Sequence, residues 1–342
     1  MKKKYLITGG SGFIGTNLCS FLTKKNFVIN ADKISYSSVP DKFKKINIKN
    51  YVFVKLDISN KEKIKNILLK HKVDYIINLA AETHVDRSID DPEAFIKKNI
   101  ESCLSLIEVV KNMILKKELK KNIKFIHIST DEVFGDVKKP VNENGRYLPN
   151  SPYAASKASI DLLLRSYYKT FKFPYVICHP SNNYGPFQFP EKLIPKIISN
   201  LINSKNIEIY GNGKNIREWI FVEDTCEAIE VICNKGKIGN SYNVGSGFRI
   251  DNLKLTKTIC NIYDEITNNS KSHKLIKMVK DRPGHDKSYF LNSKKFNKLS
   301  IINNKNTFKE KIYYTIKWYL NNENWIIHCF KKFSGKRLGT IK

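Results

Sequence analysis

The chain has 342 residues, 41% hydrophobic and 27% charged, which are the proportions of a globular protein with a sizeable core and exclude a disordered or fibrous chain. No apolar run reaches the roughly 18 residues that a spanning helix needs, so no membrane partner is expected. Sixty Lys and Arg against 32 Asp and Glu give a formal charge of +28, but the lysines are spread beside Asn and Ile (KKINIKN, KEKIKN, KKNIKF). That is the pattern of solvated faces, and no nucleic-acid partner is expected from it.

The first segment, MKKKYLITGG, has positive charge but too few apolar residues before its glycines to be a secretory signal, so the mature chain is expected to start at Met1. Up to residue 180, β-branched or aromatic runs (YLIT, FVINA, YVFVKLD, YIINLA, KFIHIS, PYVICH) alternate with segments of helical period. This alternation predicts an α/β fold, a doubly wound parallel sheet of the Rossmann type. Leu104, Ile107, Val110 and Ile114, and later Ile160, Leu163, Tyr167 and Phe171, recur at spacings of three and four and predict two long amphipathic helices. Beyond residue 180 the chain breaks into Pro- and Gly-punctuated loops (PSNNYGPFQFPEKLIP, YGNGKNIREW, VGSGF, DRPGHD), where binding groups concentrate. The expected organisation is a dinucleotide-binding domain over 1–180, rejoined by about 219–245, and a smaller C-terminal α/β substrate domain over about 181–218 and 246–330. A basic tail covers 331–342. The seven cysteines are scattered, with no CxxC and no histidine at ligand spacing, which predicts reduced thiols, a cytoplasmic location and no metal site.

The strand YLIT runs into Gly9, Gly12 and Gly15 and then into the helical segment TNLCSFLTKK. In this context the glycines let the chain turn sharply, let the backbone approach a pyrophosphate, and let the helix pack on the sheet with its first amides aimed at the phosphates. Asp32 ends the next strand seventeen residues after Gly15 (32 minus 15), in place to accept hydrogen bonds from an adenosine ribose. An acid there disfavours a 2′-phosphate and points to NAD, while the adjacent Lys33 leaves NADP open. Asp57 and Ile58, then Leu79, Ala80 and Ala81, end the third and fourth predicted strands and belong at the same crevice.

Further along, Thr130, Asp131 and Glu132 follow the strand KFIHIS. Two adjacent carboxyls can divide the work of a dehydration, one as base for a carbon-bound proton and one as acid for a departing hydroxyl. Tyr153 and Lys157 lie four apart on a predicted helix, hence on one face, where a cation beside a phenol favours phenolate.

Given these residues, the sequence resembles the extended short-chain dehydrogenase/reductase family and, within it, the dTDP-glucose 4,6-dehydratases. The motifs TGGSGFIG, ADKISY, LAAETHVDRS, STDEVFGD, SPYAASKAS, SNNYGPFQFPEKLIP, YGNGKNIREWIFVED and DRPGHD stand in the family order over nearly the whole chain. Related epimerases, decarboxylases and GDP-mannose dehydratases usually carry Ser residues or a Thr-Ser-Glu pattern in place of the Asp-Glu pair.

The resemblance implies a redox-neutral dehydration of a nucleotide-diphosphate glucose, with NAD borrowed and returned within one turnover. Tyr153 would take the proton of the carbon 4 hydroxyl, Glu132 the proton on carbon 5, and Asp131 would protonate the hydroxyl leaving carbon 6. Thr130 would hydrogen-bond the sugar near carbon 4, and Lys157 would hold the nicotinamide ribose. It further implies cofactor contacts from Phe13, Ile14, Asp32, Lys33, Asp57, Ile58, Ala80, Ala81 and Asn183, and sugar contacts from Thr83 and Asn182. The nucleotide-diphosphate side would fall to Lys192, Leu193, Tyr210, Arg217, Asn243, Arg282 and His285. The helices around 101–114 and 153–171 match those at the family's homodimer interface. Phe134 departs from the tyrosine usual in the DEVYG stretch, and the segment between Asp136 and Tyr153 is short. UDP-glucose is the rival substrate, since it would use every catalytic residue. An epimerase has no use for the acid pair, and a polyanion-binding protein on a chemically silent Rossmann fold leaves every motif without a purpose.

Overall fold

The computed structural model describes residues 2–40, 46–301 and 307–332. Most of the basic tail, from residue 333 on, lies outside the described residues. In chain order the strands are β1 (Lys4–Thr8), β2 (Phe27–Asp32), β3 (Tyr51–Lys55), β4 (Tyr75–Asn78), β5 (Lys124–Ile128), β6 (Tyr175–Pro180), β7 (Asn182–Tyr184), β8 (Ile207–Tyr210), β9 (Ile216–Phe221), β10 (Asn240–Val244), β11 (Arg249–Asp251) and β12 (Ile276–Val279).

Seven strands form one sheet in the order β10-β6-β5-β4-β1-β2-β3, with every pair parallel. A parallel sheet is covered on both faces, so its strands carry apolar groups both ways. In β1, Tyr5 and Ile7 face a core built with helices Phe13–Leu22 and Val222–Lys235. Leu6 between them faces a core built with helices Lys61–His71, Ser102–Leu115 and Pro152–Phe171. This is the doubly wound Rossmann architecture expected from the sequence. The chain runs outward from β1 to β3 on one side and from β4 to β6 on the other, so the order reverses between β1 and β4. Ligands of such sheets bind outside the strand ends at that reversal.

The C-terminal half adds a three-stranded sheet (β11-β9-β7) and a two-stranded one (β12-β8). Both pack into a separate core with helices Leu193–Ile202, Asn252–Thr267 and Phe308–Leu320. The helix Val222–Lys235 and strand β10 pack on the large sheet. All seven cysteines are free and buried. Among the described residues no helix is long and apolar enough to cross a membrane, and no cluster of His, Cys, Asp and Glu is arranged to hold a metal ion.

The turn after β1 leaves no room for a side chain at its first residue. Gly9 has φ +73, and a Cβ on it would lie 2.7 Å from the amide nitrogen of Ala80 at the end of β4. A Cβ on Gly15 would lie 2.3 Å from the carbonyl oxygen of Gly9. Gly9→Ala should therefore destabilise the protein by about 2 kcal/mol or more, combining left-handed strain with overlap. Thermal or denaturant unfolding monitored by circular dichroism measures it, and a melting curve like that of the parent would contradict this account of the turn.

Candidate active site

One cleft of about 450 Å³ runs along the carboxyl ends of β1, β2, β4 and β5 and on beneath the C-terminal half. Of the residues singled out from the sequence, the glycine turn (Gly9, Gly12, Phe13, Ile14, Gly15), Asp32, Lys33, Asp57, Ile58, Leu79, Ala80, Ala81 and Asn183 line one end. Thr83, Asn182, Lys192, Leu193, Tyr210, Arg217, Arg282 and His285 line the other, and Thr130, Asp131, Glu132 and Tyr153 lie along it as well.

Two of the expected residues do not line the cleft. Asn243 is fully buried in β10, where its backbone N–H donates to Glu143 Oε1 and its amide donates to the carbonyl of Val141, both at 2.9 Å. It fastens the 141–143 segment to the sheet edge, away from the cleft lining, and its side-chain oxygen is buried with no protein partner. Lys157 is buried beneath the site, and its Nζ donates to the carbonyl of Ile128 at 2.6 Å.

The dinucleotide end fits its expected ligand. The helix Phe13–Leu22 begins at Gly12 with no side-chain cap, which leaves its first amides for an anion. Asp32, at the end of β2, accepts from the backbone N–H of Ser11 (2.9 Å) and of Ile34 (2.7 Å), which fixes the carboxylate at the cleft wall. Lys33 turns toward Glu82, 3.5 Å away. The side-chain oxygens of Asn182 and Asn183 are buried with no protein partner, so a ligand can satisfy them.

The acid pair sits on a short 3₁₀ turn, Asp131–Phe134, that begins as soon as β5 ends. Thr130 starts the turn, its hydroxyl accepting from the Glu132 N–H (3.3 Å). Asp131 is only 3% exposed, and its Oδ2 has no hydrogen-bond partner. Burial first, then the charges of Glu132 and Glu218, hold its pKa well above the ordinary carboxyl range. Glu132 is also raised by burial, but Arg282, Lys192 and Arg217 pull against that shift. One carboxyl is thus a ready proton donor, while the other is kept more easily ionised by its cations.

Tyr153 enters from the first turn of the helix Pro152–Phe171, which Ser151 caps by accepting from Ala154 N–H at 3.1 Å. Its phenol differs from the sequence expectation. Burial and then Glu132 raise its pKa, and the hydrogen bond that opposes this comes from Thr130. The Lys157 ammonium is engaged with Ile128 and is itself lowered by burial, with Asp161 acting against that shift. Making phenolate therefore needs more positive charge than Lys157 alone supplies. Behind Lys157 lies a buried polar network in which Asp161 accepts from Ser129 Oγ (2.7 Å) and meets His179 Nε2 (3.0 Å) and His127 Nε2 (3.8 Å).

At the far end Arg217 stacks over Tyr289 (4.2 Å) and donates to the carbonyls of Ile216 and Asp286. Arg282 Nη1 pairs with Asp86 at 2.7 Å, and Tyr210 hydroxyl donates to the same carboxylate at 3.0 Å. Burial, with the Arg282 charge behind it, brings His285 down to about 4, so its ring is neutral near pH 7. Tyr36, His84, Asp86, Arg87, Glu191 and Asp161 were not assigned from the sequence. Each stands inside or beside a recognised motif, but its partners are distant in the chain, so spacing carried no signal for it.

The family model described as GDP-mannose 4,6 dehydratase matches residues 6–313. The chain belongs to this family. Within the family the dTDP-glucose 4,6-dehydratase of Shigella flexneri is 39% identical, over 94% of each chain. The dTDP-glucose 4,6-dehydratase of Bacillus anthracis, solved in complex with NAD, shares 36% identity with a TM-score of 0.83, covering 94% of this chain and 98% of that one. The Streptomyces venezuelae dTDP-glucose 4,6-dehydratase, also solved with NAD, shares 32% with a TM-score of 0.84 over the same shares.

The raised pKa of Asp131 has a consequence for stability in this dehydratase-family fold. The folded state holds a proton that the unfolded chain releases near pH 4, so stability falls as pH rises from there toward the folded pKa, by about 1.4 kcal/mol per pH unit. Asp131→Asn should raise the melting temperature near neutral pH, and the gain should vanish below about pH 4. Melting curves across pH check this, and a gain independent of pH would contradict it.

Proposed function

We propose that the protein is a nucleotide-sugar 4,6-dehydratase that converts dTDP-glucose to dTDP-4-keto-6-deoxyglucose and water, with NAD held throughout turnover. The observation that carries this reading is the adjacent carboxyl pair of buried Asp131 and half-buried Glu132, set along one cleft with Tyr153 and the glycine turn. NAD, when bound, supplies a reversible hydride acceptor, and Gly9, Gly12, Gly15 and Asp32 would hold it. Asp32 disfavours a 2′-phosphate, and the pairing of Lys33 with Glu82 weakens the case for NADP.

Tyr153, hydrogen-bonded with Thr130, receives the proton of the carbon 4 hydroxyl. Its phenol needs added positive charge to do so, which an oxidised nicotinamide carries. Once carbon 4 is a ketone the carbon 5 proton is acidic, and Glu132 removes it. Asp131, kept protonated by burial, gives its proton to the hydroxyl that leaves carbon 6. Arg217, Arg282 and Lys192 face the nucleotide-diphosphate end, where a planar guanidinium matches phosphate oxygens. The reading also includes a cytoplasmic location, supported by seven reduced, buried thiols.

A homodimer is part of the same reading. The helices Ser102–Leu115 and Pro152–Phe171 leave Leu115 61% and Leu162 53% exposed, apolar surface that a second copy can cover. Light scattering should give twice the chain mass, and Leu162→Glu should shift the protein toward monomer. A monomeric parent protein would remove the dimer.

Purified protein given dTDP-glucose should yield a product lighter by one water, seen by mass spectrometry without added reductant. Unchanged sugar would sink the proposal, and faster turnover of UDP-glucose would reassign the base. Asp131→Asn and Glu132→Gln should each slow water loss by about 10²- to 10⁴-fold while NAD stays bound.

A further inference from the structure

The loop that follows β2 crosses the glycine turn and is tied down at both ends. Asp32 holds its start through the Ile34 N–H, and the Val39 N–H donates to the carbonyl of Ser11 at 2.7 Å. Val39 is fully buried in the C-terminal core, next to Tyr184 and Phe189. Between these anchors Tyr36 reaches across to the opposite wall. Its hydroxyl donates to Glu191 Oε1 at 2.9 Å and lies 3.1 Å from Oε2.

Glu191 is itself held from the side. Arg87 Nε pairs with its Oε2 at 3.2 Å, and the Arg87 guanidinium lies 4.3 Å over the Tyr36 ring. The Glu191 side chain is only 4% exposed, so its carboxylate takes these hydrogen bonds out of water, while the Arg87 side chain stays 32% exposed. Phe189 packs edge-on against Tyr36 at 5.4 Å. The backbone on both sides is strained. Ile34 has φ +63 and Phe187 has φ +70, conformations that bulky residues adopt only when their surroundings impose them. On the same side, Asn17 in the helix after the glycine turn donates to the carbonyl of Pro186 at 3.1 Å.

Tyr36 and Glu191 both line the cleft that the glycine turn and Asp32 line. A dinucleotide seated there lies in a cleft whose two walls are joined by this contact. We propose that Tyr36, Glu191 and Arg87 form a strap that joins the two walls of the cofactor site and sets how slowly NAD dissociates. The inference rests on the reading that NAD occupies the glycine turn. A redox-neutral cycle gives the strap its purpose, since cofactor lost in its reduced form midway would leave an unfinished 4-keto sugar and an inactive protein. The three residues are positioning residues and take no part in moving protons on the sugar.

The test loads the full-length protein with radiolabelled NAD, chases with unlabelled NAD, and follows the label retained with the protein. No sugar is present. Tyr36→Phe removes one hydroxyl and should speed exchange by about 10- to 100-fold, the range for losing one hydrogen bond to a buried charge. Glu191→Ala should exchange at least as fast. Glu191→Gln, which keeps an acceptor for Tyr36, should fall between Glu191→Ala and the parent. During turnover the fast-exchanging variants should lose activity with time and recover it when NAD is added. Parent-like exchange in both Tyr36→Phe and Glu191→Ala overturns the strap, as does fast exchange that merely follows a lowered melting temperature. A parent protein that does not retain NAD overturns the cofactor reading and the strap together. Normal exchange behaviour with no dehydration of sugar overturns the sugar reading alone.

Discussion

The constraint on which the rest of the site depends is the approach of the β1 turn to the end of β4, where Gly9 faces the Ala80 backbone with no space for a methyl group. That approach sits where the strand order reverses, so it fixes the cleft between two halves of one sheet. The helix Phe13–Leu22 must then start at the crevice with its amides uncapped, and Asp32 must end β2 beside it. From β4 the chain leads into the 82–87 segment that reaches the C-terminal half, and from β5 into the acid pair. The glycine turn, Asp32 and the acid pair therefore inherit their places from strand ends that a rigid, doubly covered sheet holds in register.

Around that scaffold the site is built from groups that resist their ordinary ionisation. Asp131, Glu132 and Tyr153 are all pushed upward by burial, and the three cations facing Glu132 oppose the shift there. Such an arrangement stores unfavourable electrostatics at the point where protons must move, and the well-packed cores on both faces of the sheet tolerate it. The phenol is the clearest case. With Lys157 turned to the Ile128 carbonyl and two carboxyls nearby, the Tyr153 phenol resists ionisation by itself. On the proposed mechanism its activation is tied to the charge of the oxidised cofactor, which would link proton removal to readiness for hydride transfer.

Much of this was legible in the chain. The glycine turn, Asp32, the alternating strands and the helix bearing Tyr153 follow local rules of period and spacing, and these segments fold as local rules require. Asn243 shows where those rules stop. The resemblance places it at the substrate, but it sits on β10, the outermost strand of the large sheet, and its amide donates to Val141 about a hundred residues away, a contact no local rule reports. Tyr36, Arg87 and Glu191 escaped for the opposite reason. Their mutual contacts join segments fifty or more residues apart in sequence, so no periodicity reports them. The phenol's raised pKa was equally hidden, because it depends on which way Lys157 turns once buried.

Asp86 gives the substrate end an unusual property. Arg282 already has a carboxylate 2.7 Å away, and the same carboxylate holds Tyr210. A diphosphate arriving at Arg282 does not meet a bare cation waiting for its first counter-ion; it meets one whose charge is shared. Arg282 keeps a buried Nε without a protein partner, so there is still a donor to offer. Asp86 weakens the attraction but holds the guanidinium in one orientation, so on the proposed reading a departing product would leave the arginine with a partner. A site tuned in this way suits passage over capture: on the proposed reading the sugar nucleotide would be a visitor, and the dinucleotide in the same cleft a resident.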